Sequence, residues 1–357
     1  MEKIKVLVVD DSALMRKVIS DIIEEDEEIK VIGTARNGED LLHKLSKADA
    51  ETMPDIITLD VEMPIMDGIT VLKEMKKRHI CIPTIILSSD SKSGTKLTME
   101  CLEQGAFDFL PKPSRKLSID IYKVKDELIR KIKISHKICK IKGSTAKIEN
   151  KKTVNNNVKI DRNKYKRNIQ AIVIGASTGG PKAIYSVITN LPENMGVPVF
   201  IVQHMPVGFT KAFSERLDAN SKQKVIEAED NMKIVPNRVY VAPGGYHMEV
   251  LEDKRIHLNK EPSIWGVRPA VDKLFISASK VYKRNLVSVV LTGMGKDGAH
   301  GTEVVKDNGG ITISEDKSTC TIYGMPKVAY ETGKVDMVLK LDEIADKLVS
   351  LVSVSGR

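Results

Sequence analysis

The sequence predicts an α/β protein of two doubly wound parallel-sheet domains joined by a basic linker. Three observations predict it. Short apolar runs alternate with helix-like stretches from residue 4 to residue 132. The same alternation restarts at Ile169 and continues to Val352. Between them, residues 134–167 are rich in Lys and Asn and lose apolar periodicity after Ile141. The expected boundaries are therefore 1–133, 134–167 and 168–357, and 357 residues accommodate two domains of ordinary size.

In the first domain the strand-like runs are Ile4–Val9, Lys30–Thr34, Asp55–Leu59, Thr84–Leu87 and Phe107–Leu110. Helix-like stretches follow them at Ala13–Glu25, Glu39–Lys47, Gly68–Arg78 and Thr95–Gln104. In a fifth, Ile119–Ile132, the residues Ile121, Val124, Leu128 and Ile132 recur at helical spacing. Function in such sheets sits beyond the carboxyl ends of the strands. Asp10 and Asp11 end the first strand, Asp60 the third and Ser88 the fourth, and the fifth leads to Lys112. Three carboxylates converging on one rim repel each other unless a hard divalent cation such as Mg²⁺ joins them. With Lys112 beside them they form a site for a phosphoryl group. Capping of the first helix by Asp11 or Ser12 is the plain structural alternative.

Charge locates the linker. Residues 1–133 hold 22 Lys/Arg against 25 Asp/Glu, residues 134–167 hold 11 against 2, and residues 168–357 hold 23 against 21. The middle segment is thus net +9 and holds the basic excess of a chain that is +8 in all. Like charges repel and extend a chain, so this segment reads as a flexible tether. A basic strip touching nucleic acid or an acidic partner is the other reading. No helix-turn-helix pattern or basic recognition helix supports a nucleic-acid partner. No apolar run is long enough to cross a membrane, so no membrane insertion is expected. The N-terminus is unlike a signal peptide, with one short apolar run ending in two aspartates. Cys81, Cys101, Cys139 and Cys320 form no C-x-x-C pair, and a reducing cytoplasm fits them.

In the second domain the strand-like runs are Ile169–Ile174, Val197–Val202, Val239–Val241, Leu286–Leu291 and Gly310–Ser314. Helix-like stretches lie at Pro181–Leu191, Phe209–Ala219, Ala270–Tyr282, Gly298–Asn308 and Asp342–Val352. Gly175 to Gly180 reads G-A-S-T-G-G between the first strand and first helix. This matches G-x-S-x-G, a sharp turn that lifts the Ser177 hydroxyl to where a base can reach it. The expected chemistry is cleavage of an acyl bond.

Of the histidines, His204 directly follows an apolar strand and lies on the same rim as Ser177, so it is the expected general base. His247 follows a Pro-Gly-Gly turn and reads as a loop residue able to line the cleft. His257 lies in a short strand-like run, and His300 falls in the helix after Asp297. Asp297, in T-G-M-G-K-D-G after a strand, is the expected orienter of His204, or else a cap for its own helix. The backbone near Met294 is an expected oxyanion donor. Gly293–Gly298 also matches G-x-G-x-x-G, but too little chain follows for a second mononucleotide half. Gly175–Gly180 is no P-loop, because Pro181 stands where the lysine belongs. Trp265 and Arg268 are candidate substrate contacts, and a core role for Trp265 is equally open.

Residues 1–133 resemble a response-regulator receiver domain through VVDDS at 8–12, LDVEMPIMDGI at 59–69, LSS at 87–89 and PKP at 111–113. That resemblance implies a flavodoxin-like fold in which Asp60 accepts a phosphoryl group from a chemotaxis histidine kinase. It implies that Asp10, Asp11 and the backbone carbonyl of Glu62 hold Mg²⁺ with Asp60, and that Ser88 and Lys112 contact the phosphoryl oxygens. Phe109 would be the switch aromatic. Residues 168–350 resemble the chemotaxis protein-glutamate methylesterases (CheB family) through IGASTGG at 174–180, VQHMP at 202–206, RPAVD at 268–272 and LTGMGKDGA at 291–299. This implies a Rossmann-like hydrolytic domain with Ser177 as nucleophile, His204 as base and Asp297 as orienter, and no cofactor for the ester reaction. The implied substrate is the cytoplasmic domain of methyl-accepting chemoreceptors, with release of methanol and deamidation of glutamines. Phosphorylation is expected to relieve packing of the receiver over the catalytic rim. A receiver-driven binding module without catalysis, and an esterase for small free substrates, are the competing functions.

Overall fold

The computed structural model describes residues 3–89, 91–112, 118–145 and 168–353. Residues 146–167, most of the predicted linker, and Pro113 of the PKP motif lie outside them. The chain divides into two units, Met1–Asn155 and Asn156–Arg357.

The first unit alternates strand and helix without exception: β1 (Ile4–Val9), α1 (Ala13–Glu24), β2 (Ile29–Ala35), α2 (Gly38–Lys47), β3 (Ile56–Asp60), α3 (Gly68–Lys77), β4 (Thr84–Ser88), α4 (Lys92–Gln104), β5 (Asp108–Pro111) and α5 (Ser118–Thr145). The sheet order is β2-β1-β3-β4-β5, parallel throughout. Strands buried on both faces need continuous apolar runs, which β1, β3 and β4 supply. Ile19, Ile22 and Ile23 of α1 and Leu128 and Ile132 of α5 close one face over Val6, Val8, Ile56 and Ile85. Val9 pairs with Leu59, so Asp10 and Asp60 emerge side by side where the strand order reverses.

α5 runs on to Thr145, into the segment expected to be linker from residue 134. Ile134 and Ile138 continue the helical spacing and are half-buried, and Ser135 is buried. Two of the basic side chains that suggested a tether lie outside this stripe. Lys137 and Lys140 are exposed, and Lys133 pairs with Asp26 at 2.8 Å and Glu28 at 3.3 Å.

The second unit contains β6 (Ala171–Ala176), α6 (Gly180–Thr189), β7 (Val199–Gln203), α7 (Phe209–Asn220), β8 (Lys224–Glu227), β9 (Arg238–Val241), β10 (His247–Val250), β11 (Ile256–Asn259), α8 (Val271–Tyr282), β12 (Leu286–Val290), α9 (Ala299–Asp307), β13 (Ile311–Glu315), α10 (Met325–Glu331), β14 (Met337–Leu339) and α11 (Leu341–Ser353). Its sheet is parallel in the order β14-β13-β12-β6-β7-β9-β8, and β10 and β11 form a separate antiparallel pair. Phe200 and Tyr240 stack at 5.4 Å within a core that includes Val271, Leu274 and Phe275 of α8. The sequence reading had no counterpart for β8, β10, β14 or α10. His247, expected in a loop, is the wholly buried first residue of β10. β6 lies between β12 and β7, so the chain leaves it toward β7 and later returns on its other side. That reversal opens a crevice at the carboxyl ends of the three central strands.

Candidate functional site

Ser177 follows β6 directly, and Gly179 behind it adopts φ +79°, which a side chain rarely tolerates. A Cβ at Gly179 would stand 2.4 Å from Thr321 Cβ, and one at Gly180 would stand 2.0 Å from Gln203 Oε1. The glycines therefore let the turn lie flat against its surroundings. The Ser177 N–H donates to Thr292 O at 3.1 Å, and the Gly180 N–H donates back to Ser177 O at 2.8 Å. Ser177 is half-buried, and its hydroxyl has no hydrogen bond among the described residues.

His204 follows β7, and its N–H donates to Ala176 O at 3.1 Å, which sets it beside Ser177. Gln203 binds both residues from below, its Nε2 donating to Ser177 O at 2.9 Å and to His204 O at 3.2 Å. The His204 ring is 10% exposed, and its Nε2 lies 2.8 Å from Asp297 Oδ2.

Asp297 is buried in the loop between β12 and α9. Burial alone would push its pKa up. The His204 hydrogen bond and charge and the N–H groups of Asp272 and Val271 outweigh burial and hold it below the usual aspartate value. An ionised carboxylate only accepts, so His204 Nε2 donates to it, and in the neutral ring this leaves the lone pair on Nδ1. This is the tautomer a general base requires, with Nδ1 as the basic atom.

The same loop returns to Ser177. A Cβ on Gly293 would stand 2.8 Å from Ser177 Cβ and 3.0 Å from Ser177 N, so only glycine allows this approach. The N–H groups of Thr178 and Met294 donate to nothing among the described residues. The Ser177 N–H is already committed to Thr292, which leaves these two as the candidate oxyanion donors next to the serine turn and Gly293. The Ser177 turn, the His204 ring, the Asp297 carboxylate and the backbone at Gly293 thus lie at one end of the sheet, with His204 hydrogen-bonded to Asp297.

The remaining histidines are occupied elsewhere. Buried His247 accepts the Ala270 N–H on Nδ1 and donates from Nε2 to Pro262 O, and burial pushes its pKa down. His257 pairs with Asp230 and His300 with Glu303, both at the surface. Trp265 is no core residue. It is 55% exposed, its Nε1–H donates to Asp272 Oδ2 at 3.2 Å, and Lys296 Nζ sits 3.7 Å above its ring. Arg268 donates to Lys260 O and Glu261 O, both at 2.9 Å, and so pins its own loop.

Sequence reasoning missed the residues that hold this site. Asp272 was visible only as the last letter of RPAVD. Its carboxylate accepts the Gly298 and Gly301 N–H groups at the start of α9. Gln203 and Thr292 were likewise passed over, since their work is with backbone groups distant in sequence.

In the first unit, Asp10, Asp11 and Asp60 offer carboxylate oxygens that all lie within 4.8 Å of one another. Lys112 Nζ lies 2.8 Å from both Asp10 Oδ2 and Asp60 Oδ2. Lys112 thus bridges the two carboxylates, and Asp10 is wholly buried beside it. Asp10, with Asp60 and exposed Asp11, suits a hard divalent cation. Burial and the Asp10 charge raise the Asp60 pKa to about 6 against the pull of Lys112. Ser12, not Asp11, caps α1. The Gly68 N–H donates to Val61 O, and a Cβ there would meet Asp60 O at 2.6 Å. The Glu62 backbone bonds the Asp60 carboxyl. Its side chain accepts from Ser89 and Ser93. The Ser88 hydroxyl is turned toward α4, 3.1 Å from both Gly94 O and Ser89 O, while the Ser88 carbonyl accepts the Lys112 N–H at 2.8 Å. Phe109 is buried in β5.

Two family models match this chain: the response regulator receiver domain over residues 6–120 and the CheB methylesterase over residues 172–348. A protein-glutamate methylesterase/protein-glutamine glutaminase of Clostridium acetobutylicum is 56% identical over 353 residues, 99% of each chain. The chain belongs to the CheB family. A protein of the same description from Pyrococcus horikoshii is 43% identical over 99% of this chain and 94% of its own. The crystal structure of the Thermotoga maritima CheB methylesterase catalytic domain is similar to the second unit. It is 46% identical, with a TM-score of 0.50, and the match covers 52% of this chain and 99% of that one. The receiver model spans the acidic cluster, and the CheB model spans the serine turn, His204 and Asp297. No helix among the described residues is long and apolar enough to cross a membrane.

Proposed function

We propose that this CheB-family chain is a phosphorylation-activated serine esterase that hydrolyses glutamate methyl esters on chemoreceptors. It releases methanol and also deamidates receptor glutamines, with release of ammonia. The observation that carries the reading is the 2.8 Å His204–Asp297 bond beside the serine turn, with the histidine tautomer it enforces.

Ser177 Oγ attacks the ester carbonyl as His204 Nδ1 takes its proton. Negative charge develops on the carbonyl oxygen, where the Thr178 and Met294 N–H groups receive it. Asp297 stabilises the imidazolium formed next to it. His204 then protonates the departing methoxide, and methanol leaves an acyl-enzyme on Ser177. Water enters, His204 Nδ1 removes its proton, and collapse of the second tetrahedral species frees the glutamate carboxylate and the Ser177 hydroxyl. No step needs a cofactor.

Control lies in the first unit. Asp60 is the phosphoryl acceptor, and a two-component histidine kinase is the donor. Asp10, Asp11, Asp60 and the Glu62 carbonyl would hold Mg²⁺, which would neutralise charge on the phosphoryl oxygens. Lys112 holds the Asp60 carboxylate now and would pair with a phosphoryl oxygen after transfer. Ser88 would join it by rotating its hydroxyl away from Gly94. Buried Phe109 would be the aromatic that responds. The chain works in the cytoplasm.

Rates on a methylated receptor cytoplasmic fragment and on a small methyl ester test the substrate assignment. The receptor fragment should give the larger kcat/KM, and Asp60→Asn should abolish the response to a small phosphodonor. Equal rates on both esters would point to free small substrates, and a phosphodonor response in Asp60→Asn would remove Asp60 from the control.

A further inference from the structure

Glu315 closes β13 and is wholly buried, yet the chemistry above gives it no task. Its Oε2 accepts the Thr292 N–H at 2.7 Å, and its Oε1 accepts the Thr319 hydroxyl at 3.0 Å. Burial raises its pKa against these donors. A buried ionisable group is costly to retain, which singles out the residue it holds.

That residue, Thr292, joins the two halves of the oxyanion site. Its carbonyl accepts the Ser177 N–H at 3.1 Å. Its Oγ1 accepts the Ile322 N–H at 2.8 Å and donates toward Thr178 O at 3.1 Å. The next residue is Gly293, which presses on Ser177, and the next is Met294. Thr292 therefore turns the Ser177 N–H into the core, anchors the carbonyl of Thr178, and fixes where Met294 begins.

We infer that Glu315 is a positioning residue for ester hydrolysis, acting through Thr292 to aim the Thr178 and Met294 N–H groups at the developing oxyanion. The inference rests on the esterase reading of Ser177. Glu315 touches neither substrate nor nucleophile. Its carboxyl fixes the Thr292 amide, and loss of that acceptor leaves a buried N–H unpaired and frees the 292–294 segment to shift. A displacement of about 1 Å at reacting groups can cost on the order of 100-fold in rate.

The test is methanol release by the full chain from a methylated receptor fragment, with kcat and KM measured for each variant. Glu315→Gln keeps an acceptor for the Thr292 N–H and should stay within about threefold of wild-type kcat. Glu315→Met fills the volume without an acceptor and should lose about 100-fold in kcat with KM nearly unchanged. Thr292→Val removes the hydroxyl bonds and should lose roughly 10-fold in kcat. A folded Glu315→Met protein with wild-type kcat would overturn the inference, as would an equal fall in Glu315→Gln and Glu315→Met. If Glu315→Met does not fold, Glu315→Leu takes its place, and wild-type kcat there overturns the inference. Wild-type release that survives Ser177→Ala would instead sink the esterase reading, and this inference with it.

Discussion

Asp297 and Asp272 cap each other's helices. The Asp297 carboxylate accepts the Val271 and Asp272 N–H groups at 2.6 and 2.9 Å, at the start of α8. The Asp272 carboxylate accepts the Gly298 and Gly301 N–H groups at 2.9 and 2.7 Å, at the start of α9. Each carboxylate thus sits at the positive end of a helix. The two charges repel, and burial with the Asp297 charge raises the Asp272 pKa. Asp297 keeps its charge, so the carboxylate facing His204 is ionised and immobile at once.

Asp297→Asn should lose about 10⁴-fold in kcat, and some stability too, because its NH₂ cannot accept the α8 N–H group that one carboxylate oxygen now holds. An amide NH₂ facing His204 would require an unprotonated Nε2, placing the proton on Nδ1, where a general base needs its lone pair. Asp272→Ala should cost roughly 1–2 kcal/mol of stability through the lost α9 cap, with a smaller loss of kcat. Steady-state methanol release and urea unfolding of the two variants separate these effects.

Gly293→Ala should behave as a site mutation though it adds one methyl group. The new Cβ would stand 2.5 Å from Met325 Sδ and 2.8 Å from Ser177 Cβ, so the loop must move. A kcat loss on the order of 100-fold is expected. Gly33→Ala, where nothing lies within 4 Å of the added Cβ, is the matched control and should be silent. Unchanged kcat in Gly293→Ala would show that the loop tolerates displacement.

The Asp60 pKa, raised to about 6, makes a stability prediction. The folded state binds this proton more tightly than the unfolded chain, whose value is near 3.8. Ionisation therefore costs stability as pH rises from about 4 through 6, and the cost is complete above that window. In Mg²⁺-free urea unfolding, Asp60→Asn should be stabilised over wild type by roughly 1–3 kcal/mol at pH 7.5 and little at pH 4. Added Mg²⁺ should stabilise wild type more than Asp60→Asn. A constant difference across pH would contradict the burial of Asp60 as the cause.

His247 makes a prediction of the opposite sense. Burial depresses its folded pKa below the ordinary histidine value, so its contribution is present above that value and lost as pH falls through the folded pKa. His247→Gln should flatten the acid limb of unfolding stability while leaving the pH profile of kcat in place. His204→Gln should remove methanol release. An altered kcat profile in His247→Gln would return it to the catalytic candidates.

The strand–helix rhythm was legible because the central strands are buried on both faces and so read as unbroken apolar runs. β8 and β14 escaped because they are short edge strands with partly exposed residues. The extension of α5 escaped because Lys137 and Lys140 conceal the stripe of Ile134 and Ile138. Ser177, His204, Asp297 and Asp60 were legible because each is a polar residue just past an apolar strand or in the loop that follows one. Asp272 and Glu315 were not, because their partners are backbone N–H groups that only the folded chain brings to them. Ser88 was placed correctly at a strand end, but its hydroxyl is turned to the Gly94 carbonyl, a choice of rotamer the sequence does not encode.

Methanol release from a methylated receptor cytoplasmic fragment, by wild type and Ser177→Ala with and without a small phosphodonor and Mg²⁺, tests the central claim most directly. Release that requires Ser177 and rises with the phosphodonor is the predicted result. Equal release by the two proteins, or none from wild type under any condition, would contradict it and leave a receiver-linked binding module in its place.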